Sequence, residues 1–325
     1  MPVSDDKPIV VTADSPTRHS LAATAAHRAE YYALRAVTGV LKVLDWDGAC
    51  RLGERIGSLG YAPLGIRREI VERHVAAAFP DWPRTQVLRV AKQSFAHLGR
   101  TAVEVTLLPE LGRAGVLQLV ESVENWEALE RAVGAGTGVV LVTGHLGNWE
   151  LAGAYVAARG VPLDVIAREQ ANPLFDAYLT RTREALDMRV VYDHDAVRRA
   201  PRALRAGRAV AFVSDQGALG LASTFVSFFG RPAKTPRGAA VFALRFKLPV
   251  LFVTALRQPG GRFRVIVEDI PVDYTTNREH EVDALVARYT AALERWVRVA
   301  PEQYFWQHRR WRRQPPNTPL ELREP

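Results

Sequence analysis

A histidine and a glutamate five positions apart, in Gly144-His145-Leu146-Gly147-Asn148-Trp149-Glu150, are the residues of this chain best suited to moving a proton. The segment follows the buried-strand pattern Gly138-Val-Val-Leu-Val-Thr143 and precedes a helical pattern from Leu151 to Arg159. It therefore reads as a strand-to-helix connection with the histidine at the strand's carboxyl end. Five residues along an ideal helix are about 140° apart, so His145 and Glu150 meet only if the chain turns between them, which Gly144 and Gly147 permit. Asn148 is the expected N-cap, putting Glu150 in the first turn, where the helix dipole favours an ionised carboxylate. Such a carboxylate would accept a hydrogen bond from one imidazole nitrogen and leave the other to take a proton from a hydroxyl. Spacing alone leaves a plainer reading open, and leans towards it: a capped helix start with an incidental histidine.

Other chemistries lack their residues. No second histidine lies four positions from His145 and there is no cysteine pair, so the usual zinc spacings are missing and no metal is expected. The chain has no G-x-S-x-G, no G-x-x-x-x-G-K-[ST] and no G-x-G-x-x-G, which counts against a serine hydrolase, a P-loop enzyme and a dinucleotide enzyme. What remains is a histidine base acting directly on a substrate hydroxyl, with no cofactor.

Such a base needs a scaffold. The 325 residues are 48% hydrophobic and 24% charged, enough to bury a large core and incompatible with a disordered chain. Residues 1–20 carry Asp5, Asp6 and Asp14 without a long apolar run and are expected to be a mobile tail rather than a signal peptide. From Leu21 to about Gly65 an apolar stripe (Tyr32, Leu34, Val37, Val40, Leu41, Leu44) predicts helix; it suits a core or, with Arg28, Arg35 and Lys42, a membrane surface. Residues 67–80 and 82–108 predict two more helices, broken by Pro80 and Pro83. Then short β-branched runs alternate with helical stretches: 138–143, 163–166, 189–192, 209–214, 249–254 and 263–268. This alternation predicts an α/β fold, a central, largely parallel sheet flanked by helices, with a helical N-terminal lead-in. The expected organisation is a lead-in over 21–135, a core over 136–313, together one domain, and a Pro-rich tail over 314–325. No apolar run approaches the ~20 residues of a membrane span.

Lys and Arg total 43 against 35 Asp and Glu, a net charge of +8, and only five of the 43 are Lys. The excess suits an anionic partner, although Arg-rich composition is also a common genomic bias. Nucleic acid is not expected, because no recognition motif accompanies the charge. Cys50 has no partner for a disulfide and reads as a core residue.

The residues at 144–150 resemble the H-x-x-x-x-[D/E] motif of the lysophospholipid acyltransferase superfamily, and Asn-Trp-Glu is similar to its form in the bacterial lipid A biosynthesis late acyltransferases. Five further segments agree in order. They are Arg67 to Gly99 with Ala77-Ala78-Phe79-Pro80 and Ser94-Phe95-Ala96-His97-Leu98-Gly99; Ala167-Arg168-Glu169-Gln170-Ala171-Asn172-Pro173 with Arg181 and Arg183; Phe212-Val213-Ser214-Asp215-Gln216; Phe228 to Thr235; and Pro301 to Trp311. The resemblance spans roughly residues 30–313.

It implies an acyltransferase moving a fatty acyl group from acyl carrier protein or acyl-coenzyme A to a hydroxyl of a membrane glycolipid, a lipid A precursor first and a phosphatidylinositol mannoside second. A non-catalytic lipid-binding protein with the same groove is the rival. His145 is then the expected base and Glu150 its orienter. Arg168 is the expected anion contact, unless it is a surface Arg paired with Glu169. Asp215 is expected to position an acceptor hydroxyl or hold Arg168, unless it is a plain turn residue. Gln216, Gly230, Arg231 and Arg309 complete the substrate contacts that the resemblance implies. Phe228 and Phe229 suit an acyl channel or a core, and Arg309, Arg310, Arg312 and Arg313 around Trp311 suit an anionic membrane surface. The chain lacks the Glu-Gly-Thr-Arg motif of the glycerol-phosphate branch, which favours a glycolipid over simple lysophospholipids. The expected location is the cytoplasmic face of the inner membrane, attached peripherally.

Overall fold

The computed structural model describes residues 21–217, 222–275 and 278–325; the tail expected over residues 1–20 lies outside them. The helical lead-in comprises α1 (Leu21–Leu41), α2 (Trp46–Tyr61), α3 (Arg68–Ala78) and α4 (Arg84–Leu119). There follow β1 (Val120–Glu124), α5 (Trp126–Gly134), β2 (Val139–Thr143), α6 (Trp149–Ala158), β3 (Leu163–Ala167), α7 (Pro173–Glu184), β4 (Met188–Tyr192), α8 (Ala196–Arg205) and β5 (Ala209–Val213). The chain then forms β6 (Ser223–Phe228), β7 (Arg231–Pro236), α9 (Gly238–Phe246), β8 (Val250–Arg257), β9 (Phe263–Ile270) and α10 (Arg278–Val299).

All six β-branched runs are strands of one seven-stranded sheet in the order β1-β9-β8-β2-β5-β3-β4. Every neighbouring pair is parallel except the β8/β9 hairpin, so the α/β expectation holds. Two features escaped the sequence. The edge strand β1 reads Val-Glu-Ser-Val-Glu and is too polar to stand out, and the β6/β7 hairpin carries Pro232 and Pro236, which argue against a strand. The stripe over 21–65 is two helices rather than one, because Asp45 caps α2 through Gly48 N–H at 3.2 Å. Helix α4 runs past the expected end at 108, with Pro109 inside it and a non-helical backbone at Gly112.

The sheet separates two cores, as strands whose side chains alternate must. Val140, Val142 and Val210 join residues of α3, α9 and α10 on one face. Leu141, Leu163, Met188 and Val253 join α5 and α6 on the other. Each such side chain is worth roughly 1.5–3 kcal/mol of burial. Phe228 (0% exposed) and Phe229 (7%) belong to an aromatic block with Phe79, Tyr304, Trp306 and Trp311, so they fill core. Cys50 is a core residue too, its thiol pushed up to about 12 by burial and by Glu104. Residues 314–325 fold back onto the hairpin: Gln314 donates to the carbonyls of Pro232 and Leu322, and Arg231 donates to that of Arg323.

No helix among the described residues is long and apolar enough to cross a membrane. The lead-in nonetheless exposes Val40, Val43, Ile56, Leu59, Leu64 and Ile66.

Candidate active site

The register of β2 against β5 assembles the site. Thr143 pairs with Val213, and Ser214 N–H donates to Thr143 C=O at 2.8 Å. His145 and Asp215 each lie two residues beyond that pair, at the carboxyl ends of adjacent parallel strands, where α/β sheets bind ligands. Asp215 Oδ1 is 2.7 Å from His145 Nδ1, and its Oδ2 accepts the His145 backbone N–H at 3.0 Å. Burial pushes the Asp215 carboxyl up, but the His145 imidazole and these two hydrogen bonds hold it well below the usual carboxylate range. Asp215 is thus an anion at 2% exposure. With Nδ1–H donating to the Asp215 carboxylate, Nε2 is the ring nitrogen left for another partner. Gln216 Nε2 lies 3.1 Å from the same Nδ1; two N–H groups cannot donate to each other, so the carboxylate takes the proton and the amide packs alongside.

Glu150 does something else. Arg183 from α7 grips it with both Nε (3.0 Å to Oε2) and Nη2 (2.5 Å to Oε1), a forked ion pair at the first turn of α6. The carboxylate hydrogen-bonded at His145 Nδ1 is thus Asp215, not the Glu150 expected there, and the chain turn through Gly144 and Gly147 carries the imidazole to β5. Asn148 is the N-cap as expected, accepting Leu151 N–H at 2.9 Å.

The loop between them is rigidly held. Gly147 sits at φ +62 with a hypothetical Cβ 2.0 Å from Ala255 C=O, so no other residue fits. Its carbonyl accepts from His97 Nε2 at 3.2 Å, while Arg257 donates to His97 Nδ1. Burial and the neighbouring Arg257 drive the His97 pKa well down, which keeps the ring neutral in that tautomer. Arg257 also ion-pairs with Glu104, which is fully buried and accepts from Arg100 Nε at 2.9 Å and Asn148 Nδ2 at 3.0 Å. Sequence reasoning quoted His97 only within a resembling segment and missed Glu104 and Arg257. An acidic residue on the apolar face of α4, beside Val103, Leu107 and Leu108, was the available signal.

The other expected residues divide. Asp215 and Gln216 are at His145. Arg168 follows β3, exposed, and its guanidinium has no hydrogen bond or ion pair among the described residues. Gly230 (φ 72) and Phe229 (φ 51) form the β6/β7 turn. Arg231 reaches the Arg323 carbonyl at 2.7 Å, and Arg309 makes a forked pair with Glu324 at 2.6–2.7 Å. The structure therefore engages Arg231 and Arg309 with the C-terminal segment, not with His145. From the same closing segment, buried Arg310 reaches Lys234 C=O and Thr235 Oγ1, both at 2.6 Å.

An apolar cavity of about 60 Å³ lies between α6 and the sheet. Thr143, Trp149 and the Glu150/Arg183 pair line it, as do Leu163, Gly153 and Met188. The His145 ring contacts Trp149 edge-on at 4.7 Å, so the histidine stands on the far side of one of its walls.

A family model described as bacterial lipid A biosynthesis acyltransferase matches residues 22–313. The chain is similar to the lipid A biosynthesis palmitoleoyltransferase of Escherichia coli (strain K12), 27% identical over 274 residues, covering 84% of this chain and 87% of that one. It is also similar to the lipid A biosynthesis lauroyltransferase of the same organism, 24% identical over 276 residues, covering 83% and 87%. A phosphatidylinositol mannoside acyltransferase of Mycobacterium tuberculosis is 30% identical over 158 residues, 46% of this chain and 49% of that one.

Proposed function

The chain belongs to the bacterial lipid A biosynthesis acyltransferase family, and from that premise we propose that it transfers a fatty acyl group from an acyl thioester to a hydroxyl of a membrane glycolipid of the lipid A precursor type. The observation that carries this reading is the hydrogen bond of 2.7 Å between His145 Nδ1 and Asp215 at the carboxyl ends of two adjacent parallel strands, which makes Nε2 the ring nitrogen available to a substrate hydroxyl.

His145 Nε2 takes the proton of the acceptor hydroxyl as its oxygen attacks the thioester carbonyl, and Asp215 stabilises the imidazolium that forms. The resulting oxyanion collapses, the carbon–sulfur bond breaks, and the departing thiolate takes the proton from Nε2. The products are an ester and a free thiol, with no covalent enzyme intermediate. The Glu150/Arg183 pair fixes the start of α6 and so the pocket wall. Arg168, free on the surface after β3, is the contact for an anionic donor or acceptor group. The exposed apolar residues of the lead-in support docking of that face on the cytoplasmic surface of the inner membrane, where the acceptor resides.

The test offers purified protein radiolabelled acyl-acyl carrier protein and acyl-coenzyme A in parallel, with lipid A precursors, phosphatidylinositol mannosides and lysophospholipids as acceptors. Label on a lipid A precursor, lost with His145→Ala, is expected. Label on a phosphatidylinositol mannoside alone would establish the second reading, which the similarity to the mycobacterial enzyme favours. Lipid binding without transfer from either donor would overturn both.

A further inference from the structure

At the end of the sheet opposite His145, arginines converge on one cleft. It holds about 200 Å³, many times the roughly 10–15 Å³ that one water needs, and is lined by Asp164, Arg189, Arg199, Arg202 and Arg208 beside two alanines. Strand register brings them together. Asp164 and Arg189 are the second residues of β3 and β4 and are paired across the two strands. Arg208 immediately precedes β5, the other neighbour of β3, and Arg199 and Arg202 lie three residues apart on one face of α8. Asp215 stands two residues beyond the far end of β5, so at least the length of a five-residue strand, roughly 13 Å, separates the cleft from the base. Arg208 is held in place: its Nε donates to Asp164 Oδ1 at 2.6 Å and its Nη2 to Leu163 C=O at 3.3 Å, and Asp164 is 2% exposed. Arg189, Arg199 and Arg202 are exposed, and none of the three has a hydrogen bond or ion pair among the described residues. The cleft thus gathers four guanidiniums and a single carboxylate, which Arg208 already occupies. The dipole of α8 favours a cation at Arg202, in its last turn, but does nothing for Arg199 a turn earlier or for Arg189 on the sheet. A recess lined by one sign of charge concentrates counter-ions of the other.

We propose that this cleft binds a phosphate group, with the guanidiniums of Arg189, Arg199 and Arg202 closing on its oxygens and Arg208, braced by Asp164, as the fixed wall. A phosphate monoester carries about −1.5 to −2 charges at pH 7 and three acceptor oxygens, and each guanidinium offers paired N–H donors that match two of them. A carboxylate, with one charge and two oxygens, would leave most of the excess unmatched. The phosphate belongs to a phospholipid headgroup or to a soluble compound; the recognition chemistry is the same for both. Because the cleft lies at the amino ends of the strands, away from His145, it is filled whether or not the transfer proposed above takes place.

The experiment titrates the full chain with inorganic pyrophosphate in a calorimeter, with acetate at equal ionic strength as the competing anion, and sediments it with phosphatidylcholine vesicles with and without phosphatidic acid, whose headgroup is a phosphate monoester. The variants are Arg189→Gln, Arg199→Gln and Arg202→Gln, with Arg113→Gln, an exposed arginine of α4, as the control for loss of charge alone. Saturable binding by the wild type and by Arg113→Gln is expected, weakened about tenfold or more by each substitution in the cleft. The three arginines have no partner to strand, so their variants should unfold no earlier than wild type without ligand, and pyrophosphate should raise the unfolding midpoint of the wild type more than theirs. A loss of the phosphatidic acid-dependent sedimentation in the same variants identifies a lipid headgroup as the source of the phosphate. A loss of pyrophosphate binding alone identifies a soluble compound. The proposal is overturned if neither probe separates the cleft variants from wild type, if Arg113→Gln weakens binding as much as they do, or if acetate displaces the ligand at equal ionic strength. Since binding is read without turnover, a protein that transfers no acyl group would sink the transferase reading and leave this one standing.

Discussion

His145 and Asp215 stand 70 residues apart in the chain and 2.7 Å apart in the site, joined by the register of two parallel strands. Asp215→Asn keeps the shape but removes the charge that fixes the Nδ1–H tautomer and stabilises the imidazolium. The turnover rate is expected to fall on the order of 10² to 10⁴, the range of general-base catalysis, and His145→Ala to abolish transfer, both with unchanged circular dichroism. An Asp215→Asn protein with full turnover would reject Asp215 as the orienter.

Glu150 and Arg183 are mostly buried, 12% and 19% exposed, so removing one partner strands the other charge. Glu150→Gln is expected to lower stability by about 1–3 kcal/mol, with Arg183→Gln similar and the double variant recovering part of the loss. Denaturant midpoints of the four proteins measure this. Strict additivity would mean the pair is not coupled.

Glu104 is the anchor of the catalytic loop rather than a reacting group, since it reaches His145 only through Asn148 and Gly147. Glu104→Ala leaves Arg257 and Arg100 without their buried carboxylate and should cost about 3–5 kcal/mol. The loss should appear in the unfolding midpoint, and the pH dependence of any residual turnover should match wild type. A displaced pH profile would instead implicate Glu104 in the titration of the site.

His74 is 1% exposed, and burial first of all, opposed by Glu324, lowers its pKa to about 4. The unfolded chain then binds the extra proton between about pH 6.5 and 4, so this histidine's contribution is fully present above pH 6.5 and is lost as pH falls through that window. Stability should drop on acidification by an amount that includes about 3 kcal/mol from His74, and His74→Gln should flatten that slope. Equal slopes in wild type and variant would show that His74 titrates normally.

The parallel strands were legible because each is a short β-branched run, and the strand ends then located His145 and Asp215 on one edge of the sheet. The partner of the base was not legible. A motif that spaces His145 and Glu150 by five residues invites pairing within the motif, whereas strand order, which no local pattern encodes, puts β5 rather than α6 at Nδ1. Arg231 and Arg309 illustrate the same limit: they sit in family-like segments, but the C-terminal segment folding back engages both. Glu104 and Arg257 were hidden because a buried ion pair is written in the sequence as two ordinary charges.

The strand order also governs when the site can exist. Central β2 lies between β5 and β8, Gly147 is held by Ala255 and Gln303, and Leu146 bridges to Tyr304. A nascent chain therefore has His145 long before it has the histidine's surroundings, and the arrangement closes only when residues near 304 have emerged. Contacts so distant in sequence make folding slow and all-or-none for this half of the molecule. A chain ending before the closing segment would carry His145 and its whole motif and still lack an assembled catalytic centre.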